Sequence, residues 1–190
     1  MAVGSQYMTT EEFLALPDDG VDRDLIRGEL RLRDSGMTTR GRPHCQVTTK
    51  LAFLLYRWLA TQPTPRGKVY TGEIRVRLTR NPDTFVGVDL AYVPAKTEEA
   101  TGSLSSFIEG PDLLAIEIVS PSDTAEGIAG KVRGYLDAGV PLIWYVDPAV
   151  RTVVAFRQDG RHELFNEHQE LTAEPQLPGF RVPVGDIFAD

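Results

Sequence analysis

Two stretches of the sequence, FVGVDLAYV (85–93) and LLAIEIV (113–119), are almost wholly apolar, and each holds one carboxylate. Short apolar runs bounded by turn residues read as strands buried on both faces. Asn-Pro-Asp precedes the first run and Ser-Pro-Ser-Asp follows the second. Strands of this kind need cover on both sides, so the chain predicts helices packed on a central sheet. Asp89 and Glu117 then stand where desolvation costs most.

The flanking segments agree with that layout. Thr9 and Glu12 have the spacing of a capping box, opening a short helix that stops before Pro17 and Gly20. DLIRGELRLR (24–33) alternates around Arg-Gly and predicts a β-hairpin; DSGMTTRGRP (34–43) predicts a loop. From His44 to Ala60, the residues Val47, Leu51, Leu54, Leu55, Trp58 and Leu59 recur at helical spacing. KVYTGEIRVRL (68–78) alternates as a strand, and KTEEATGS (96–103) reads as a polar loop. Ser-Pro-Ser-Asp can cap a second long helix that runs to about Gly139, with Ile128, Val132, Tyr135 and Leu136 as its stripe. GVPLIWYVD (139–147) is a fourth strand. TVVAFR and HELF form a last hairpin around Asp159-Gly160, and QLPGFRVPVGDIF is a closing segment. The order helix, three strands, helix, strand predicts an α/β domain over residues 1–190. It divides into an N-terminal helix and hairpin (1–43), a core (44–148) and a C-terminal hairpin and tail (149–190).

Several classes are disfavoured. No apolar run approaches the roughly 20 residues of a membrane helix. The first residues, MAVGSQYMTTEEF, lack the basic and apolar blocks of a secretory signal. Cys45 is the single cysteine, so no internal disulfide forms and a cytoplasmic setting is expected; such a cysteine reads as a small buried hydrophobe. There is no phosphate-binding glycine loop and no Cys/His zinc pattern. The net charge of -7 argues against a nucleic-acid partner, but its distribution does not. Arg23 to Arg80 holds 13 Lys and Arg against 4 Asp and Glu, a local +9. Either that segment forms a positive face for a polyanion, or the fold mixes it with the acidic remainder.

A third ionisable group interrupts an apolar stripe. Lys131 lies three residues after Ile128 and four before Tyr135, so three neighbouring elements each carry one charge among apolar residues. Buried charges pair or bind metal. Two close carboxylates repel unless a cation sits between them, so removing one would relieve strain. Mg2+ suits the set, being a hard ion that takes oxygen ligands. A buried salt bridge from Lys131 to Glu117 or Asp89 is the structural alternative.

On these residues the chain resembles the Uma family, restriction-endonuclease-like in fold, within the PD-(D/E)XK nuclease superfamily. The resemblance runs over nearly the whole chain. It rests on IRGELRLR, His44 at the head of the long helix, VDLAYV, AIEIVSPSD, KVRGYLDAGVPLIWYVDP and LPGFRVPVGDIF. The family's proline is Val88 here, its acidic residue before the hairpin Gly-Glu is Arg27, and the superfamily lysine would fall at Val119. Lys131, on the next helix, takes that lysine's place. The resemblance implies an α-β-β-β-α-β core with a central mixed sheet, and a Mg2+-dependent endonuclease acting on DNA, with Mn2+ as a substitute. Asp89, Glu117 and the Ile118 carbonyl would hold the ion, and Lys131 would assist water attack. It also implies a homodimer. Glu29, His44 and Glu73 are possible accessory residues. The other readings are a hairpin residue for Glu29, which is the favoured one, a capping or supporting residue for His44 and a water-facing residue on an edge strand for Glu73. Arg31, Arg33, Arg40, Arg42 and Lys50 are the expected backbone contacts. A catalytically inactive nuclease-fold module binding nucleic acid or a protein is the alternative function.

Overall fold

The structure is a computed structural model describing residues 7–32 and 41–189. Helix α1 (Thr10–Leu14) opens on the expected capping box, the Thr9 side chain accepting from the Glu12 N–H and Glu12 accepting from the Thr9 N–H. Strands β1 (Arg23–Ile26) and β2 (Glu29–Leu32) form the hairpin, turning at Arg27 and Gly28, both with positive φ. The long helix α2 (Arg42–Leu59) starts two residues before His44. Its six expected apolar residues are all buried. Strands β3 (Lys68–Thr79) and β4 (Thr84–Val93) follow.

Residues 96–103 depart from the loop reading. Helix α3 (Ala95–Thr101) forms there, held by tertiary contacts. Glu98 takes a hydrogen bond from Tyr70 at 2.8 Å and pairs with Lys68 at 2.8 Å. The Thr97 hydroxyl donates to the Asp112 carbonyl. A two-residue strand, β5 (Ile108–Glu109), pairs in parallel with β3. Strand β6 (Leu114–Ile118), helix α4 (Ala125–Asp137) and strand β7 (Leu142–Asp147) make a parallel crossover. Strands β8 (Thr152–Arg157) and β9 (His162–Asn166) form the second hairpin. The closing segment is ordered too: β10 (Glu170–Thr172) pairs with β11 (Arg181–Pro183), which leads into α5 (Val184–Phe188).

Strands β1 to β9 share one mixed sheet, parallel only at β3–β5 and β6–β7. Along β6 and β7 the side chains alternate with period two. Leu114, Ile116, Ile118, Leu142, Trp144 and Val146 face the core beneath α2. Leu113, Ala115, Ile143 and Tyr145 face the core with Val132 and Tyr135 of α4. The result is a three-layer α/β/α arrangement, as the doubly buried runs require.

Strand β4 organises the middle of the sheet. Strand β3 covers one of its edges throughout. Two strands share the other edge: β1 meets it at Phe85, and β6 meets it from Leu90 to Tyr92. Between them the sheet forks at Gly87 to Asp89, where among the described residues no strand is in register with β4 on that side. Main-chain groups there need side-chain partners when buried.

Candidate active site

Side chains fill the fork. Asp24 of β1 accepts the Gly87 N–H at 3.1 Å, and Lys131 of α4 donates to the Gly87 carbonyl at 3.3 Å. Asp89 accepts the Ile118 N–H at 2.9 Å. Asp89 and Glu117, each 5% exposed, are the next residues on their strands beyond the Leu90–Ile116 pair. One cleft is lined by Asp24, His44, Asp89, Glu117, Lys131 and Tyr145 together.

Each carboxylate has its own donors. Lys131 Nζ lies 2.7 Å from Glu117 Oε2, and the buried Tyr135 hydroxyl donates to Glu117 Oε1. Lys131 and Tyr135 are four residues apart, so one face of α4 supplies both. The cap of α4 is Thr124, just past the Ser-Pro-Ser-Asp run expected to supply it; its side chain accepts the Gly127 N–H, while Asp123 accepts the Ser120 N–H at 2.7 Å. His44 Nε2 lies 3.2 Å from Asp89 Oδ2. It sits in the first turn of α2, whose cap Gly41 offers no side-chain bond and whose first turn has no acid. Burial by itself would raise the Asp89 carboxyl, but the bonds from His44 and the Ile118 N–H, with the charge of Lys131, hold it below its ordinary value. Burial, reinforced by the negative charge of Glu117, pushes the phenols of Tyr135 and Tyr145 up.

The structure thus brings together Asp89, Glu117, Lys131 and His44, and it adds Asp24 and Tyr135. In the sequence Asp24 sits in an alternating hairpin, where it looks like the polar half of the pattern. Its burial comes from the fork. Tyr135 falls on the apolar stripe of its helix, and its spacing of four residues from Lys131 is the sequence signal that joins it to the site. Glu29 is exposed, pairs with Arg31 at 2.6 Å and does not line this cleft. Glu73 lies at a bulge in β3 with positive φ and lines a separate cleft beside α1.

The cationic set is divided as well. Arg31 lines the cleft, while Arg42 sits exposed at the start of α2 and Lys50 is half-buried further along it. Arg33 and Arg40 lie outside the described residues. Four basic residues of the +9 segment pair with acids beyond it: Arg23 with Asp19, Lys68 with Glu98, Arg77 with Glu11 and Glu109, and Arg80 with Glu109. The charge is therefore mixed to that extent by folding. Cys45 is exposed rather than buried, and Asp147 caps the turn after β7 by accepting the Ala149 N–H. Among the described residues, no helix is long and apolar enough to cross a membrane.

No curated protein matches this chain. A solved structure does: a protein from Anabaena variabilis described as "a putative nuclease belonging to DUF820", with a TM-score of 0.76 over 95% of this chain and 97% of that one. At 20% identity, the likeness is one of fold: a central mixed sheet flanked by helices. A family model described as "Putative restriction endonuclease" matches residues 10–185, and the chain belongs to that family, Uma2.

Proposed function

We propose that the protein is a metal-dependent endonuclease hydrolysing DNA phosphodiester bonds, with Asp89 and Glu117 as the carboxylates of a Mg2+ site. One observation carries this reading. Two nearly buried carboxylates, on adjacent strands, open into one cleft with a lysine on the second. The donors suit a hard cation, which is commonly held by one or two carboxylates with water completing the shell. Among the described residues, no three His, Cys, Asp or Glu side chains gather to hold an ion alone. The Ile118 carbonyl and water would therefore complete the set. Bound there, Mg2+ or Mn2+ would lower the pKa of a water and offset charge on the scissile phosphate.

The chain's own groups do the rest. Lys131 leaves Glu117 to orient the attacking water and to offset charge that develops on the phosphate. Tyr135 holds the Glu117 carboxylate in one orientation. His44 does the same for Asp89, and it stands at the positive end of α2, where an anionic oxygen is favoured. Arg31 contacts the DNA backbone without reading sequence. A homodimer, implied by the family resemblance, belongs to the same proposal and is tested by sedimentation equilibrium.

A second reading has its own support. The contacts Lys131–Glu117 and His44–Asp89 give both carboxylates cationic or donor partners without any metal. An inactive module that binds nucleic acid or a protein would keep them. Purified protein incubated with supercoiled plasmid and Mg2+ or Mn2+, beside Glu117→Gln prepared identically, separates the two. Nicking by the wild type alone supports the nuclease. No nicking, together with no heat on titrating Mg2+, supports the module.

A further inference from the structure

Glu117 is flanked by two phenols. Tyr135 reaches it from α4; Tyr145 stands beside it on β7, in register with it across the parallel pair. Residues in register on neighbouring strands project from the same face. The Tyr145 hydroxyl therefore lies on the Glu117 side of the sheet, and its residue lines the cleft. It is 7% exposed, yet the hydroxyl has no hydrogen-bond partner among the described residues. Buried hydroxyls are normally bonded. The ring has little freedom to seek a partner, since it packs edge-on against Phe156 with centroids 6.2 Å apart. Trp144 also has an unpartnered nitrogen, but it lies under α2 in the closed core, where no ligand reaches it. Tyr145 differs because its residue lines the open cleft.

A phenol is a protonated donor at neutral pH. What it lacks is an acceptor, and the carboxylates around it are already bonded by other groups. Lys131, Arg31 and Arg133 line the same cleft, so an anionic oxygen entering it meets positive charge as well as negative. Resting on the nuclease reading, we propose that Tyr145 is a substrate-binding residue whose hydroxyl donates to a non-bridging oxygen of the phosphodiester bound at Glu117.

Tyr145→Phe removes that oxygen and nothing else. The proposal expects an unchanged melting temperature, a loss of about tenfold in kcat/KM for plasmid cleavage in Mg2+, and weaker binding of a fluorescein-labelled 20-base-pair DNA duplex held uncleaved in Ca2+. A wild type that cuts, with Tyr145→Phe equal to it in both rate and duplex affinity, overturns this assignment and leaves the nuclease reading standing. A variant that melts several degrees lower overturns it too, because the hydroxyl then has a structural partner. A wild type that binds no duplex and cuts no plasmid overturns both. If the wild type binds without cutting, weaker binding by Tyr145→Phe still supports the contact, and equal binding overturns it.

Discussion

Glu117 has Lys131 on one oxygen and Tyr135 on the other, and this balance sets what single substitutions do. The sequence suggested two carboxylates repelling each other, with strain relieved on removing either. In the structure each has its own donors, so that relief is not expected. Lys131→Met would leave a buried carboxylate short of its cation and cost about 2 kcal/mol, less than a wholly buried pair because the ammonium borders the cleft. Glu117→Gln keeps a hydrogen-bonding side chain in place and would cost about 1 kcal/mol. Urea unfolding should show the double variant more stable than the sum of the two losses implies, since neither partner is then left unpaired. Strict additivity would mean that the pair is not energetically coupled. Both single variants are expected to lose plasmid nicking while remaining folded.

At the scale of elements, the N-terminal segment is tied to the β3–β4 turn by one carboxylate. Asp83 accepts the Thr10 N–H at 2.7 Å, the Thr10 hydroxyl at 2.6 Å and the Asn81 N–H at 3.2 Å. Burial opposes its ionisation, but these bonds win and its carboxyl lies below its ordinary value. A folded pKa below the unfolded one means stabilisation that is complete above the unfolded pKa and lost as pH falls through the folded one. Wild type should therefore lose more unfolding free energy than Asp83→Asn between pH 6 and pH 3, as read by urea denaturation. An equal loss would show that Asp83 does not couple to folding. Gly28 anchors the same region, donating to the Asp83 carbonyl and accepting from the Met8 N–H. Its φ is +76°, and an added Cβ would overlap Tyr7, coming within 2.9 Å of its Cγ. Gly28→Ala should cost about 2 kcal/mol and expose the segment before α1 to protease. Unaltered proteolysis would show that the turn tolerates the methyl group.

At the scale of the whole molecule, the fork in the sheet turns five separate elements into one site. Strands β1 and β6 share an edge of β4, α4 lies over one face, and the head of α2 closes the other side. Part of the charge of the +9 segment is offset, since several of its cations pair with acids outside it. Duplex binding should accordingly show a shallow salt dependence, with a slope equivalent to about 2–4 phosphate contacts. Fluorescence anisotropy across salt concentrations measures this directly. A slope equivalent to ten contacts would mean that a strongly positive face exists after all.

Much of this protein was legible in the sequence because local rules govern it. The doubly buried apolar runs of β4 and β6, the helical spacing in α2 and the capping box of α1 depend on neighbours in the chain, and all three form as read. The placing of Glu117 on the face shared with Leu113 and Ala115 follows from the two-residue period of a strand. Other features depend on groups far apart in sequence. Helix α3 forms in a polar stretch because Tyr70 and Lys68 hold Glu98. Asp24 joins the cleft because β1 stops short of β6 along β4, a gap that no local pattern encodes. Partial offsetting of the basic segment by Glu11, Glu98 and Glu109 is likewise visible only once the chain has folded. Periodicity assigns a residue to a face, but only the tertiary pairing of strands decides which charges meet there, because Coulomb and hydrogen-bond energies depend on distance in space and not on separation along the chain.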